Sequence, residues 1–448
     1  MDSNLILAVL FSITLLLVLI IRFKIPAFIA LLLASISTAL IAGMDPTVVI
    51  TTIKDGMGKS LGFIATVVGL GAIFGGILEH SGGAKTLAKW LLHILGDKNT
   101  SAALTITGLL VAIPVFFDVG IIILYPVVAA LQKQTGKSII YYAVPLIAGL
   151  AVSHAFIPPT PGPLAVADIL KVPLGNMIIW GFIIGAPCAI LGGLVYGKYL
   201  GGKLFIEARS IIEQTDGLEN YKYPGIKLVL PILLFPVILI VFSTVIDSGL
   251  ITFSNPTIKA YLSMLTHPFS ALILANILAW YILGIKRGMS KETLADISSK
   301  SFYPIGVIIL VTGAGGVFKE VLISTGIGES IAKSMKTAGI GIIPFAFITA
   351  GLVRILQGSA TVAMITAAGL VAPLLLHYDL SPTQLALVAI TIASGATAFS
   401  HLNDSGFWMV KEFFGLTEPQ AMRTWTVTST IIGLTGFIIS YILYKVMI

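Results

Sequence analysis

Charge is the scarcest commodity in this sequence: Asp, Glu, Lys and Arg together make up 10% of its 448 residues, against about a quarter in a soluble domain. Since 57% of the residues are hydrophobic, a water-soluble globule is excluded. A single core stops growing near ~300 residues and would leave the surplus apolar surface in water. Lipid is the solvent that fits. Cysteine is nearly missing as well: Cys188 stands alone in an apolar run, so neither an intrachain disulfide nor a cysteine metal site is expected. No H-E-x-x-H pair, nucleophile elbow or P-loop occurs. That argues against an enzyme and against direct ATP drive, and no metal or bound cofactor is expected. The formal net charge of +7 does not point to nucleic acid, because the basic residues are spread singly or in pairs through short loops.

What the chain has is apolar length and glycine, 45 residues of it, as expected where helices pack closely in a bilayer. Apolar segments run near 5–21, 27–43, 61–78, 101–131, 139–157, 176–200, 228–247, 268–285, 302–322, 340–376, 384–400 and 425–446. A spanning helix needs roughly 20 apolar residues, so we expect an all-α integral membrane protein of roughly 11–14 apolar segments. Leu5 to Ile21 has no Lys or Arg before it, and Arg22 and Lys24 follow it. It reads as a retained first helix with its N-terminus outside. Two segments are long for one span and contain a break: Pro114 in 101–131, and Gln357-Gly358-Ser359 in 340–376. The first reads as a re-entrant hairpin, and the second as a helix followed by a hairpin over about 357–376. With that topology the loops on one side hold 17 Lys and Arg and those on the other hold 7, which puts the richer side in the cytoplasm.

The halves look related. GLGAIFGGILEHSGGAKTLAK from Gly69 matches GAGGVFKEVLISTGIGESIAK from Gly313 at seven positions, an offset of 244 residues. The expected organisation is an N-terminal half (1–200), a cytoplasmic linker (201–227) and a C-terminal half (228–448), related as an inverted repeat. Such repeats place a transport site at their interface near the midplane.

Four interruptions carry the candidate chemistry. In IPVFFDVG, from Ile113, Asp118 is the only charged residue between Ser101 and Leu131. A carboxylate at membrane depth costs about 2.5–3.5 kcal/mol and usually faces a cavity, partner or proton path. An interfacial aspartate at a hairpin tip is the alternative. In HAFIPPTPGP, from His154, four prolines fall within six residues and end the helix, breaking the segment 139–170. Thr160 and Gly162 would offer a hydroxyl and amides to a substrate there. His154 is a proton carrier or a structural, hydrogen-bonded histidine. In QGSATVA, Gln357, Ser359 and Thr361 stand at a helix restart, where free N–H groups and the dipole favour an anion. The nearby Arg354 either neutralises a carboxylate or, the reading preferred here, snorkels to the membrane surface. In SHLNDSGFW, from Ser400, residues Asn403, Asp404 and Ser405 interrupt the run 384–415. Asn403 and Ser405 suit substrate hydroxyls, while Asp404 is a proton carrier or a plain helix cap. His401 is a further proton candidate.

These motifs resemble the gluconate permease family of bacterial gluconate:proton symporters. The likeness rests on VGLGAIFGGILEHSGGA from Val68, IPVFFDVG from Ile113, HAFIPPTPGPLAVAD from His154, LQGSATVAM from Leu356 and SHLNDSGFW from Ser400, in family order over nearly the whole chain. The resemblance implies proton-coupled uptake of gluconate or a related sugar-acid anion across the bacterial inner membrane. It also implies kinship with ion transporters that carry paired re-entrant hairpins and work as homodimers. Asp118 and Thr160 stand where some members carry Glu and His. That leaves the ligand open among gluconate, threonate, glycerate and D-serine. The remaining alternatives are sodium in place of protons, and a channel in place of a carrier.

Overall fold

The computed structural model describes residues 11–12, 14–16, 18–19, 22–96, 99–208, 223–247, 251, 253, 255–303, 305–326, 337–402 and 404–447. Much of the first apolar stretch, most of the linker and Asn403 lie outside those residues. The described chain is helical, with no strand: α1 (Ala27–Ile41), α2 (Pro46–His80), α3 (Gly83–Leu95), α4 (Thr100–Val111), α5 (Phe117–Thr135), α6 (Ile140–Phe156), α7 (Pro161–Leu170), α8 (Leu174–Gly201), α9 (Ile226–Asp247), α10 (Pro256–Thr266), α11 (Pro268–Arg287), α12 (Lys291–Lys300), α13 (Gly306–Ser324), α14 (Ile342–Gln357), α15 (Ala360–Leu375), α16 (Pro382–Thr397), α17 (Ser405–Phe413) and α18 (Glu418–Val446). Seven helical stretches among them are long and apolar enough to cross a membrane by length and composition. Large aliphatic side chains such as Ile183, Ile238, Ile277, Leu352 and Ile442 stand exposed on outer faces, where lipid tails rather than water satisfy them.

Helix ends follow the punctuation in the sequence. Proline opens α2, α7, α10, α11 and α16 at the first turn, where its missing N–H is no loss. Gly136 and Gly358 end α5 and α14 in the left-handed region, at φ 67 and 83. Two boundaries differ from expectation. The span expected over 61–78 belongs to one 35-residue helix that begins at Pro46, roughly 52 Å long at 1.5 Å per residue and longer than the ~30 Å hydrocarbon core. Asp45 caps it, accepting from the N–H of Thr47 at 2.8 Å, and its added turns pack on α13, where a Cβ on Gly56 would lie 2.8 Å from the Val317 Cα. The hairpin expected within 357–376 is corrected too: Ala360–Leu375 is one unbroken helix. Its only proline, Pro373, sits in the last turn, so nothing divides the run. The helix–break–helix unit is α14–α15, the counterpart of α4–α5.

The starts of α5, α6, α7 and α8, at Phe117, Ile140, Pro161 and Leu174, recur at Ala360, Pro382, Ser405 and Glu418, each 242 to 244 residues later. Helices α6 and α16 are almost wholly buried. Each packs on the helix that opens its own half's broken unit, α6 on α4 and α16 on α14. Both crossings bring backbone against backbone. A Cβ on Gly149 would lie 2.2 Å from the Thr105 carbonyl oxygen, and one on Gly395 would lie 2.4 Å from that of Phe347. Only glycine permits such an approach.

Candidate functional site

Four helices stop short: α4 at a break over 112–116, α6 at 157–160, α14 at 358–359 and α16 at 398–404. Three of these breaks border one cavity of about 270 Å³. Phe117, Asp118 and Val119 in the first turn of α5, Ala360 and Thr361 in that of α15, and Gly406 in that of α17 line it. First-turn N–H groups have no acceptor inside their own helix, and they carry the positive end of its dipole. Their convergence makes a wall suited to an anion. An aromatic wall of Phe116, Phe117 and Trp425 stands beside it. The Phe117 and Trp425 rings stack with centroids 5.0 Å apart.

The charged part of the wall is a network that the sequence reading missed. Arg354, from α14, is 3% exposed and does not reach the membrane surface. Its Nη2 donates to Asp404 Oδ2, and its Nη1 donates to the Gly358 carbonyl. Asp404 Oδ2 also accepts from Ser400 Oγ, whose oxygen accepts in turn from Trp425 Nε1 at 2.6 Å. Asp404 Oδ1 accepts from the N–H of Gly406 at 3.0 Å, so the residue caps α17 as well. The overlooked signal was complementarity. A basic residue inside an apolar span needs a partner, and the only carboxylate in the facing break is Asp404.

The expected site residues divide clearly. Asp118, His154, Ser359, Thr361 and Asp404 line the cavity. His154 Nδ1 is buried without a hydrogen-bond partner, and its ring lies 5.9 Å from that of Phe116. Ser359 also caps α15, accepting from the N–H of Val362 at 3.4 Å. Thr160 and Gly162 lie elsewhere. Thr160 Oγ1 donates to the Ile157 carbonyl at 2.6 Å, and the residue borders a separate space of about 10 Å³ beside Pro114 and Gly71. Gly162 lets α7 cross α15, since a Cβ there would lie 2.3 Å from Met364 Cε. Gln357 ends α14 outside the lining, with a buried Oε1 that has no hydrogen-bond partner. His401 Nδ1 meets the Phe399 carbonyl at 2.9 Å, also outside the lining. Asn403 lies outside the described residues, and Ser405 opens α17. No cluster of three or more His, Cys, Asp or Glu able to hold a metal occurs among the described residues.

A helical membrane protein with broken helices around a small, charged internal cavity belongs to the class of multi-pass transporters. A family model described as GntP family permease matches residues 4–447, and the chain belongs to that family. It is similar to a low-affinity gluconate transporter of Escherichia coli (strain K12), 35% identical over 97% of each chain. It is also similar to a gluconate permease of Bacillus subtilis (strain 168), 36% identical over 94% of this chain and 95% of that one. These relatives are permeases, not enzymes. In fold it resembles the YdaH transporter of Alcanivorax borkumensis, with a TM-score of 0.63 at 12% identity and 90% of each chain covered.

Proposed function

We propose that this chain imports gluconate, or a closely related sugar-acid anion, across the bacterial inner membrane by proton symport and alternating access. One observation carries the reading: a cavity of about 270 Å³ that combines helix N-termini, Arg354 and two carboxylates. The N–H groups of α15 and the hydroxyls of Ser359 and Thr361 suit a carboxylate. The aromatic wall suits the C–H faces of a polyol chain, and Asn403 and Ser405 supply further polar groups for its hydroxyls. Two halves, 1–200 and 228–448, rock as an inverted pair about this site, with α4–α5 and α14–α15 as the re-entrant units. The recurrence of helix starts 242 to 244 residues apart supports that pairing. The N-terminus lies outside, and two copies form the working unit.

Proton coupling answers an electrical problem. A negative interior opposes an anion by about 2.3 kcal/mol per charge per 100 mV. One proton cancels that term and a second turns it into drive. Asp118 and Asp404 are the leading carriers, with His154 and His401 behind them. The test is uptake of labelled gluconate into proteoliposomes under an inward proton gradient, with threonate, glycerate and D-serine as competitors and choline replacing sodium. Accumulation abolished by a protonophore is expected. Sodium-dependent accumulation overturns the proton reading, and uptake of a competitor in place of gluconate overturns the substrate.

A further inference from the structure

The cavity wall holds one permanent cation and two carboxylates, and the cation is already taken. Arg354 directs its Nη2 at Asp404 and its Nη1 at the Gly358 carbonyl, and its Nε is buried without a partner. Guanidinium cannot be deprotonated in a protein. A substrate carboxylate entering this cavity therefore meets an arginine whose charge Asp404 already neutralises. If both carboxylates stayed ionised and both stayed in place, the anion would be the third negative charge around one positive one, out of water. Such a site repels its own ligand. Asp404 is built to be released from the pair. It lies in a non-helical break, two of its other contacts come from its own segment (Ser400 Oγ and the N–H of Gly406 at 3.0 Å), and neither needs Arg354.

We infer that Asp404 and the substrate carboxylate take turns on Arg354, and that this exchange couples the proton to the anion. The inference rests on the sugar-acid reading above and gives that site its coupling step. In the empty site Asp404 is ionised and paired. When the anion arrives, the Arg354–Asp404 hydrogen bond breaks and Arg354 donates to the substrate carboxylate instead. The freed Asp404 takes one proton from water on the side to which the cavity is open, forming an O–H bond. The loaded site has then gained one anion and one proton and no net charge. On the other side the substrate leaves, Asp404 returns its proton to water, and the pair re-forms. The other titratable groups near Asp404 are Asp118 on α5, His154 on α6 and His401 on its own break. Asp118 shares the cavity but has no ion-pair partner among the described residues, so a proton it carries adds to the exchange and does not replace it.

The experiment is gluconate binding to purified protein in detergent, followed from mildly acidic to mildly alkaline pH. Uptake of one proton with each anion makes the Kd of the unaltered protein rise about tenfold per pH unit wherever Asp404 is ionised before binding. In Asp404→Asn that slope falls by about one proton, because Arg354 stands permanently free. The variant's accumulation of gluconate against a gradient falls by the drive of one proton. A slope in Asp404→Asn equal to that of the unaltered protein overturns the inference. Where that variant does not fold, Ser400→Ala decides. Removing the Ser400 donor leaves ionised Asp404 less stabilised, so the break in the profile moves to higher pH; an unmoved break overturns the inference. A lost Arg354–Asp404 strut of purely structural value lowers the melting temperature and leaves the slope alone. If the unaltered protein binds gluconate with no pH dependence, the coupling step fails while the substrate stands. If it binds no sugar acid at any pH, the function reading falls and this step with it.

Discussion

Asp118 and Asp404 are both aspartates at the start of a helix that follows a break, yet their surroundings assign them different work. Asp404 is held by Arg354, Ser400 and the N–H of Gly406, whereas Asp118 faces the cavity without an ion pair among the described residues. Asp118→Asn is expected to leave gluconate exchange within about threefold of normal and to lower gradient-driven accumulation by about tenfold or more, read in the same proteoliposomes. Threonines divide in the same way. Losing a hydrogen bond to a charged ligand costs about 1.5–3 kcal/mol, so Thr361→Val should raise KM about tenfold or more. Thr160→Val should leave KM within about twofold, because its hydroxyl is spent on the Ile157 carbonyl. At this scale the sequence was half legible. Lone polar residues in apolar runs announce themselves by their cost in lipid, and Asp118, Ser359, Thr361 and Asp404 were visible on that ground. Which break each one faces depends on chain crossings far apart in sequence, so Thr160, expected at the site, lies outside the cavity, and Arg354, expected at the membrane surface, lines it.

Among the helices, ends were legible wherever proline or left-handed glycine marks them. They were not legible where tertiary packing overrides composition. Residues 46–60 of α2 carry Lys54, Asp55 and Lys59 and read as a loop. Packing on α13 and the Lys59–Glu320 pair at 2.8 Å keep them helical. The close crossings give the sharpest prediction for an element. Gly149→Ala and Gly395→Ala each drive a methyl into a carbonyl oxygen 2.2 or 2.4 Å away, and each should cost about 1–3 kcal/mol. Gly58→Ala, with nothing within 4 Å of the added Cβ, should be neutral or slightly stabilising, by up to about 1 kcal/mol. Thermal denaturation of the purified variants in one detergent checks both, and equal melting temperatures for all three would contradict the crossing geometry.

For the molecule as a whole, the paired halves make a claim about sidedness that chemical labelling can reach. Cys188 is fully buried, so an added surface cysteine is the only thiol open to a reagent. In intact cells, an impermeant maleimide should label Lys259→Cys on α10 and spare Lys89→Cys on α3 until the membrane is opened. Labelling of both from outside would refute the topology inferred from loop charge. That charge bias is readable because it lies in short loops, and the four breaks are readable as interruptions of apolar runs, whereas nothing in composition reveals which of them share a cavity.

The two glycine crossings carry a last implication, for how this family diversifies. Backbone pressed on backbone has no rotamers to rearrange, so α4 with α6 and α14 with α16 form rigid frames indifferent to the ligand. Most groups that line the cavity sit in the breaks at 116, 359 and 404 or in the helix turns that flank them. Ligand preference is then portable: grafting only the cavity-lining stretches 116–119, 354–361 and 397–406 from a relative with another diet should move the preference and leave the melting temperature of the host intact.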